Sequence, residues 1–143
     1  MLYHDPLISE HTLNWVRKFI IEYSICPFAK GPINKGTLRV IISNAKKQNS
    51  ALKDLMTEIQ FLEKNPAIET TLLVFSHAHK DFFSYLDFID IAEQLIQSLG
   101  YEGVFQLATF HPDYYFADAS PDEISNYTNR SPYPMIHLLR RIV

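Results

Sequence analysis

His111 stands between Phe110 and Pro112 at the end of an apolar run, with Asp113 two residues on. An imidazole titrates near neutrality, so this side chain is a candidate proton carrier, and Asp113 is close enough in sequence to compete for its ring N–H. The same ring could fix the loop it opens by hydrogen bonds, and residue types leave the two roles open. Arg130, preceded by Asn129 and followed by Ser131, Pro132 and Tyr133, supplies a planar guanidinium suited to a carboxylate or phosphate. It could instead tie the loop to an internal carboxylate such as Asp113 or Asp118. Pro132 and Pro134 each remove a backbone donor that an anion would use. Cys26 is the only thiol and so the only candidate sulfur nucleophile. Its place beyond a predicted helix end, among Ile25, Pro27 and Phe28, disfavours thiolate, which makes a buried structural cysteine the stronger reading. His77 and His79, two apart at a strand end, would present both imidazoles to one side, and His111 could complete a three-histidine zinc site. No carboxylate or fourth ligand is fixed by spacing, which favours solvated loop histidines.

These residues are carried by 143 residues, of which 47% are hydrophobic, 13% aromatic and 20% charged. That is one domain (1–143) with a packed core, not a disordered tail or a coiled coil. Thirteen basic against sixteen acidic residues leave a net charge of -3, which gives no general attraction to nucleic acid. The four glycines fall in no GxGxxG or GxxxxGK(S/T) frame, which excludes nucleotide loops of those kinds. A single cysteine forbids an internal disulfide or a two-thiolate site and fits a reducing, cytoplasmic setting. Met1–Glu10 lacks the basic start and apolar stretch of a signal peptide, and Phe19–Ala29 is too short to span a bilayer and carries Glu22. No membrane partner is expected.

Helix and strand patterns alternate along the chain. Ser9 can cap a first helix through Leu13, Val16, Ile20 and Tyr23, which Pro27 stops. Leu38–Ser43 and Thr70–Ser76 read as strands, separated by a helix with Leu52, Leu55, Met56, Ile59 and Leu62 on one stripe and Lys53, Asp54, Glu58 and Glu63 on other faces. Asp81 caps a third helix, apolar nearly all round, that ends with Leu99 before Gly100. Gly103–Thr109 is the third principal strand. A long aromatic loop follows, with Tyr114, Tyr115, Phe116, Tyr127 and Tyr133 and a capping box at Ser120–Glu123, and a last helix starts near Ser131–Pro134 and runs through Met135, Ile136, Leu138 and Leu139. The fold class is α/β.

Cys26-Pro27-Phe28-Ala29, Ala108-Thr109-Phe110-His111-Pro112-Asp113-Tyr114, and Asn126 to Pro134 leading into His137-Leu138-Leu139-Arg140 resemble the bacterial family called domain of unknown function 1415. The likeness runs essentially end to end, and no activity comes with it. Relatives continue past Arg140 with an acidic residue and a further helical tail, whereas this sequence reads Arg141-Ile142-Val143, so either it is a shortened member or a tail is missing. His77 and His79 lie outside the resemblance.

In an open parallel sheet ligands collect beyond the carboxyl ends of strands, where Ser43-Asn44, Ser76-His77 and His111-Asp113 would emerge together. The first functional expectation is therefore an enzyme or binder of a small anionic metabolite in a polar pocket. His111 and Cys26 are its candidate catalytic groups, and Arg130, Asp113, Asn129 and Tyr133 line its ligand; no cofactor is identified. The second is a non-catalytic homo-oligomeric interaction domain that uses the aromatic loop and the all-round apolar helix. The third is zinc binding by His77, His79 and His111.

Overall fold

The computed structural model describes residues 1–21, 37–117, 119–120, 122 and 129–140, with the backbone alone for 19–21. Cys26, the Pro27 helix stop, Asp118, Tyr127, and Pro121 and Glu123 of the capping box lie outside the described residues.

A two-residue strand, β1 (Leu2–Tyr3), precedes helix α1 (Pro6–Trp15). The helix begins before Ser9 because Asp5 is the stronger cap. Its carboxylate accepts the Leu7 and Ile8 N–H groups at 3.0 and 3.2 Å, and Pro6 fills a first-turn position where no N–H is needed. Past Trp15 the backbone widens into a π-helical segment, Val16–Ile21. Strand β2 (Leu38–Ser43), helix α2 (Gln48–Lys64), strand β3 (Thr70–Phe75), helix α3 (Phe82–Ser98) and strand β4 (Phe105–Phe110) follow the hydrophobic periodicity closely. The α3 ends are as the residue types require. Asp81 accepts the Ser84 N–H at 2.9 Å, and Gly100 takes the left-handed turn at φ 81.

The expected C-terminal helix is a strand, β5 (Met135–Arg140). Pro132 and Pro134 remove backbone donors from the first turn a helix would need here, and a strand buried on both faces shows the same unbroken apolar run as a buried helix. β5 enters the interior of a five-stranded sheet of order β1-β2-β3-β5-β4, so the sheet has more than the three principal strands expected. β2 and β3 are parallel, Val40 facing Leu72, while β5 runs antiparallel to both β3 and β4. The carboxyl ends of β2, β3 and β4 consequently point the same way.

The two faces are buried by different helices. α2 and α3 cover Ile41, Leu73, Phe75, Ile136 and Leu138 with Leu55, Ile59, Leu62, Tyr85, Phe88 and Ile96. Trp15 and Val16 cover Ile42, Leu72, Val74, Phe110 and Met135 on the other side. The period of two along β2 and β3 sorts neighbours such as Ile41 and Ile42 to opposite layers. Asp54 and Glu58 do not sit on outward faces of α2. Both are buried against the sheet, Asp54 accepting from the Ser43 hydroxyl at 2.6 Å and Glu58 paired with Arg39 at 2.6 Å. Buried carboxylates persist where such partners offset their desolvation.

Candidate functional site

β2 and β3 end side by side, the Ser76 N–H donating to the Ser43 carbonyl at 3.0 Å. From there one chain passes through Asn44–Lys47 into α2, the other through Ser76–Asp81 into α3. A cleft of about 670 Å³ opens between these two connections, lined by Lys46 and Gln48 on one side and by His79, Lys80, Ser84, Asp87 and Asp90 on the other. Lys47 occupies the N-cap position of α2 and supplies no side-chain hydrogen bond, so the first-turn amides of α2 lack the usual cap.

His79 is the unusual residue of this cleft. Its φ of 66 places a non-glycine side chain in the left-handed region, at a cost of order 1–3 kcal/mol. Its carbonyl accepts a hydrogen bond from His111 Nε2 at 2.6 Å, which holds the turn. Its ring lies 4.2 Å from that of Phe88 and 4.7 Å from that of Phe75, and its Nε2 is buried without a hydrogen-bond partner. Burial first, and the neighbouring His111 second, lower its pKa to about 4, so the imidazole stays neutral.

His111 itself is fully buried. Nδ1 accepts the Asp113 N–H at 3.0 Å and Nε2 donates to His79, which fixes one neutral tautomer. Burial lowers its pKa, against the raising influence of the His79 carbonyl, Asp113 and Asp81. Its backbone N–H donates to the Asn129 carbonyl at 3.1 Å, and the Asn129 side-chain amide donates to the Thr109 carbonyl at 2.9 Å. His111, Asp113 and Asn129 are thus brought together as a knot that ties the 111–114 turn to the 129–131 segment. None of the three lines the cleft at His79.

Arg130 ties the same turn from the other side, its Nε donating to the Tyr114 carbonyl at 2.9 Å. Tyr133 points towards α1, its hydroxyl 2.9 Å from His11 Nδ1. Arg130 and His11 line a second cavity, separate from the cleft at His79, and His111 lines neither of the two. The three-histidine zinc site does not form either. His77 is exposed with Nδ1 at 2.7 Å from the Ser76 hydroxyl, both His111 nitrogens are engaged, and among the described residues no three His, Cys, Asp or Glu side chains group to hold a metal ion.

Reading the residues missed Lys46, Lys80 and the conformation of His79. The signal available was Lys46-Lys47 at a strand-to-helix junction, where Ser, Thr, Asp or Asn would be the ordinary cap. Among the described residues no helix is long and apolar enough to cross a membrane. No curated protein and no solved structure matches the chain. A family model described as "Protein of unknown function (DUF1415)" matches residues 7–142, a span that takes in the Cys26, His111 and Arg130 motifs and all but the first strand of the sheet, and the chain belongs to that family.

Proposed function

We propose that this protein binds a small anionic metabolite in the cleft at the carboxyl ends of β2 and β3. The observation that carries the reading is His79, a non-glycine residue held at φ 66 with an unpartnered buried ring nitrogen, on the wall of a polar cleft. Strained backbone persists where the surroundings over-determine it, and such positions cluster at ligand sites. Lys46 and Lys80 supply positive charge, and the uncapped amino end of α2 adds backbone donors with the favourable end of the helix dipole. Asp87, Asp90 and Ser84 on the α3 side suit hydroxyl or amino groups, so the ligand class is a small anion bearing such donors. His111 acts here as a strut that positions His79, and not as a proton carrier.

Inorganic phosphate is the first probe. A ligand that binds only the folded state raises the melting temperature by mass action. Phosphate is expected to do so beyond chloride of equal ionic strength, and Lys46→Ala with Lys80→Ala is expected to abolish the difference. Equal melting in phosphate and chloride, or a phosphate effect unchanged in the double variant, would refute the reading.

A further inference from the structure

β4 is an edge strand of six residues, with β5 as its one strand neighbour among the described residues. It carries no charge and no proline and pairs with β5 residue for residue, so it has neither a gatekeeping side chain nor a bulge. The opposite edge is β1, two residues long, which offers little to a partner. Which groups of β4 face outward follows from the ladder. The Phe75 N–H donates to the Pro134 carbonyl at 2.9 Å, so Pro134 turns to β3 and Met135, next in line, turns to β4. The Tyr85 hydroxyl bridges the Met135 carbonyl and the Phe110 N–H, at 2.7 and 3.0 Å, so Phe110 turns to β5. By alternation Gln106 and Ala108 do the same, and Phe105, Leu107 and Thr109 present their backbone groups to the open side. Two of these groups are already used. The Phe105 N–H donates to the Tyr101 carbonyl at 3.1 Å, and the Thr109 carbonyl accepts the Asn129 side-chain amide at 2.9 Å. The Phe105 carbonyl, both groups of Leu107 and the Thr109 N–H have no hydrogen-bond partner among the described residues.

We infer that a second copy of this chain adds to β4, antiparallel, about a two-fold axis at Leu107. In that register each Leu107 N–H donates to the Leu107 carbonyl of the other copy, and each Thr109 N–H to the other's Phe105 carbonyl. The two groups closed internally fall opposite one another, Phe105 N–H against Thr109 carbonyl, so the pairing orphans no donor or acceptor. An antiparallel strand from a different protein would present a carbonyl and an N–H to these closed positions and leave both unpaired. Self-pairing is what this edge fits. Phe105 and Leu107 direct their side chains to the face that α3 covers. There a recess of about 200 Å³ between α3 and β4, with Ile96, Gln97 and Leu107 in its lining, lies where the Leu107 side chains of the two copies meet. No charged residue lies within β4, so no like charges are opposed across the axis.

Sedimentation equilibrium of the intact protein is expected to show the mass rising from monomer to dimer across the micromolar range. Amide hydrogen exchange on the unaltered chain locates the interface, and the Leu107 and Thr109 N–H groups should exchange more slowly as concentration rises. Leu107→Lys sets two like charges side by side on the axis and leaves the β4–β5 ladder in place. It should weaken the dimer at least about tenfold, with the far-ultraviolet circular dichroism unchanged. If that variant fails to fold, the exchange measurement on the unaltered chain decides the matter. A chain that stays monomeric up to about 1 mM, whether or not it takes up an added peptide strand, would overturn the inference. So would a dimer whose Leu107 and Thr109 amides are no better protected than in the monomer, or a folded Leu107→Lys variant that dimerises as before.

Discussion

Replacing Arg39 by methionine strands the carboxylate of Glu58 under the sheet. Glu58 is fully buried, with Arg39 Nε at 2.6 Å from one oxygen and the Thr71 hydroxyl at 3.4 Å. Burial pushes its pKa up, and the hydrogen bond and charge of Arg39, then Thr71 and His4, draw it back. Methionine retains an apolar stem and removes the charge together with the guanidinium that lies over the Phe61 ring at 3.9 Å. Breaking a buried pair by removing one partner costs about 3–5 kcal/mol, and the lower end applies because the Arg39 side chain is 21% exposed. For a chain of this size that is a fall in melting temperature on the order of 10 °C. The sign with pH follows from the same residues. A folded-state pKa above the ordinary value of 4.5 means that the folded chain holds the Glu58 proton more tightly. Stability from this group is therefore full below the unfolded value and is lost as pH rises through the folded value. Without Arg39 the folded value climbs further, so the deficit of the variant is largest at neutral pH and shrinks on acidification. Urea unfolding followed by far-ultraviolet circular dichroism, at neutral pH and about two units lower, measures both effects. Adding Glu58→Leu should recover most of the loss, since the apolar pair leaves no charge behind. A deficit under about 1 kcal/mol, one that acidification does not reduce, or one that Glu58→Leu does not repair would refute the reasoning.

Tyr85→Phe should cost about 2 kcal/mol in denaturant unfolding, because the buried hydroxyl donates to the Met135 carbonyl at 2.7 Å and accepts the Phe110 N–H at 3.0 Å. His111→Leu leaves the His79 carbonyl and the Asp113 N–H unpaired; a loss of about 3 kcal/mol is expected, together with loss of any stabilisation by phosphate. His137, buried with Nε2 donating to the Thr70 hydroxyl at 2.7 Å, has its pKa lowered by burial to about 4. That folded value lies below the unfolded one, so the neutral ring contributes stability at neutral pH that is lost as pH falls from 6.5 towards 4, about 3 kcal/mol in all. Its imidazole resonances should not titrate between about pH 5 and 8.

Much of the frame was legible because period and punctuation agreed. β2 and β3 are β-branched runs, α2 carries a clear stripe, and α3 has both Asp81 and Gly100 at its ends. β5 was not legible, since Met135–Leu139 offers neither alternation nor a helical face, and only its pairing with β3 and β4 makes it a strand. Asp54 and Glu58 were read as outward because a carboxylate is usually solvated; their partners Ser43 and Arg39 come from a strand whose register no local pattern reveals. The convergence of strand ends was foreseen from topology, yet which histidine would face the cleft depended on a left-handed turn at a non-glycine residue. Local residue types do not announce such a turn.

The place of β5 has a consequence for how the chain reaches this structure during synthesis. Among the described strands, the last in chain order lies inside the sheet, between β3 and β4, and not at an edge. Until residues 135–140 leave the ribosome, β3 has one open edge and β4 has no strand partner among the described residues. α2 and α3 can form earlier, but the surface they pack on is missing an interior strand. Open edges of this kind invite pairing with other chains. Nascent protein should therefore depend on chaperone protection until β5 emerges, and a stop codon placed before Met135 should turn a folded product into aggregate.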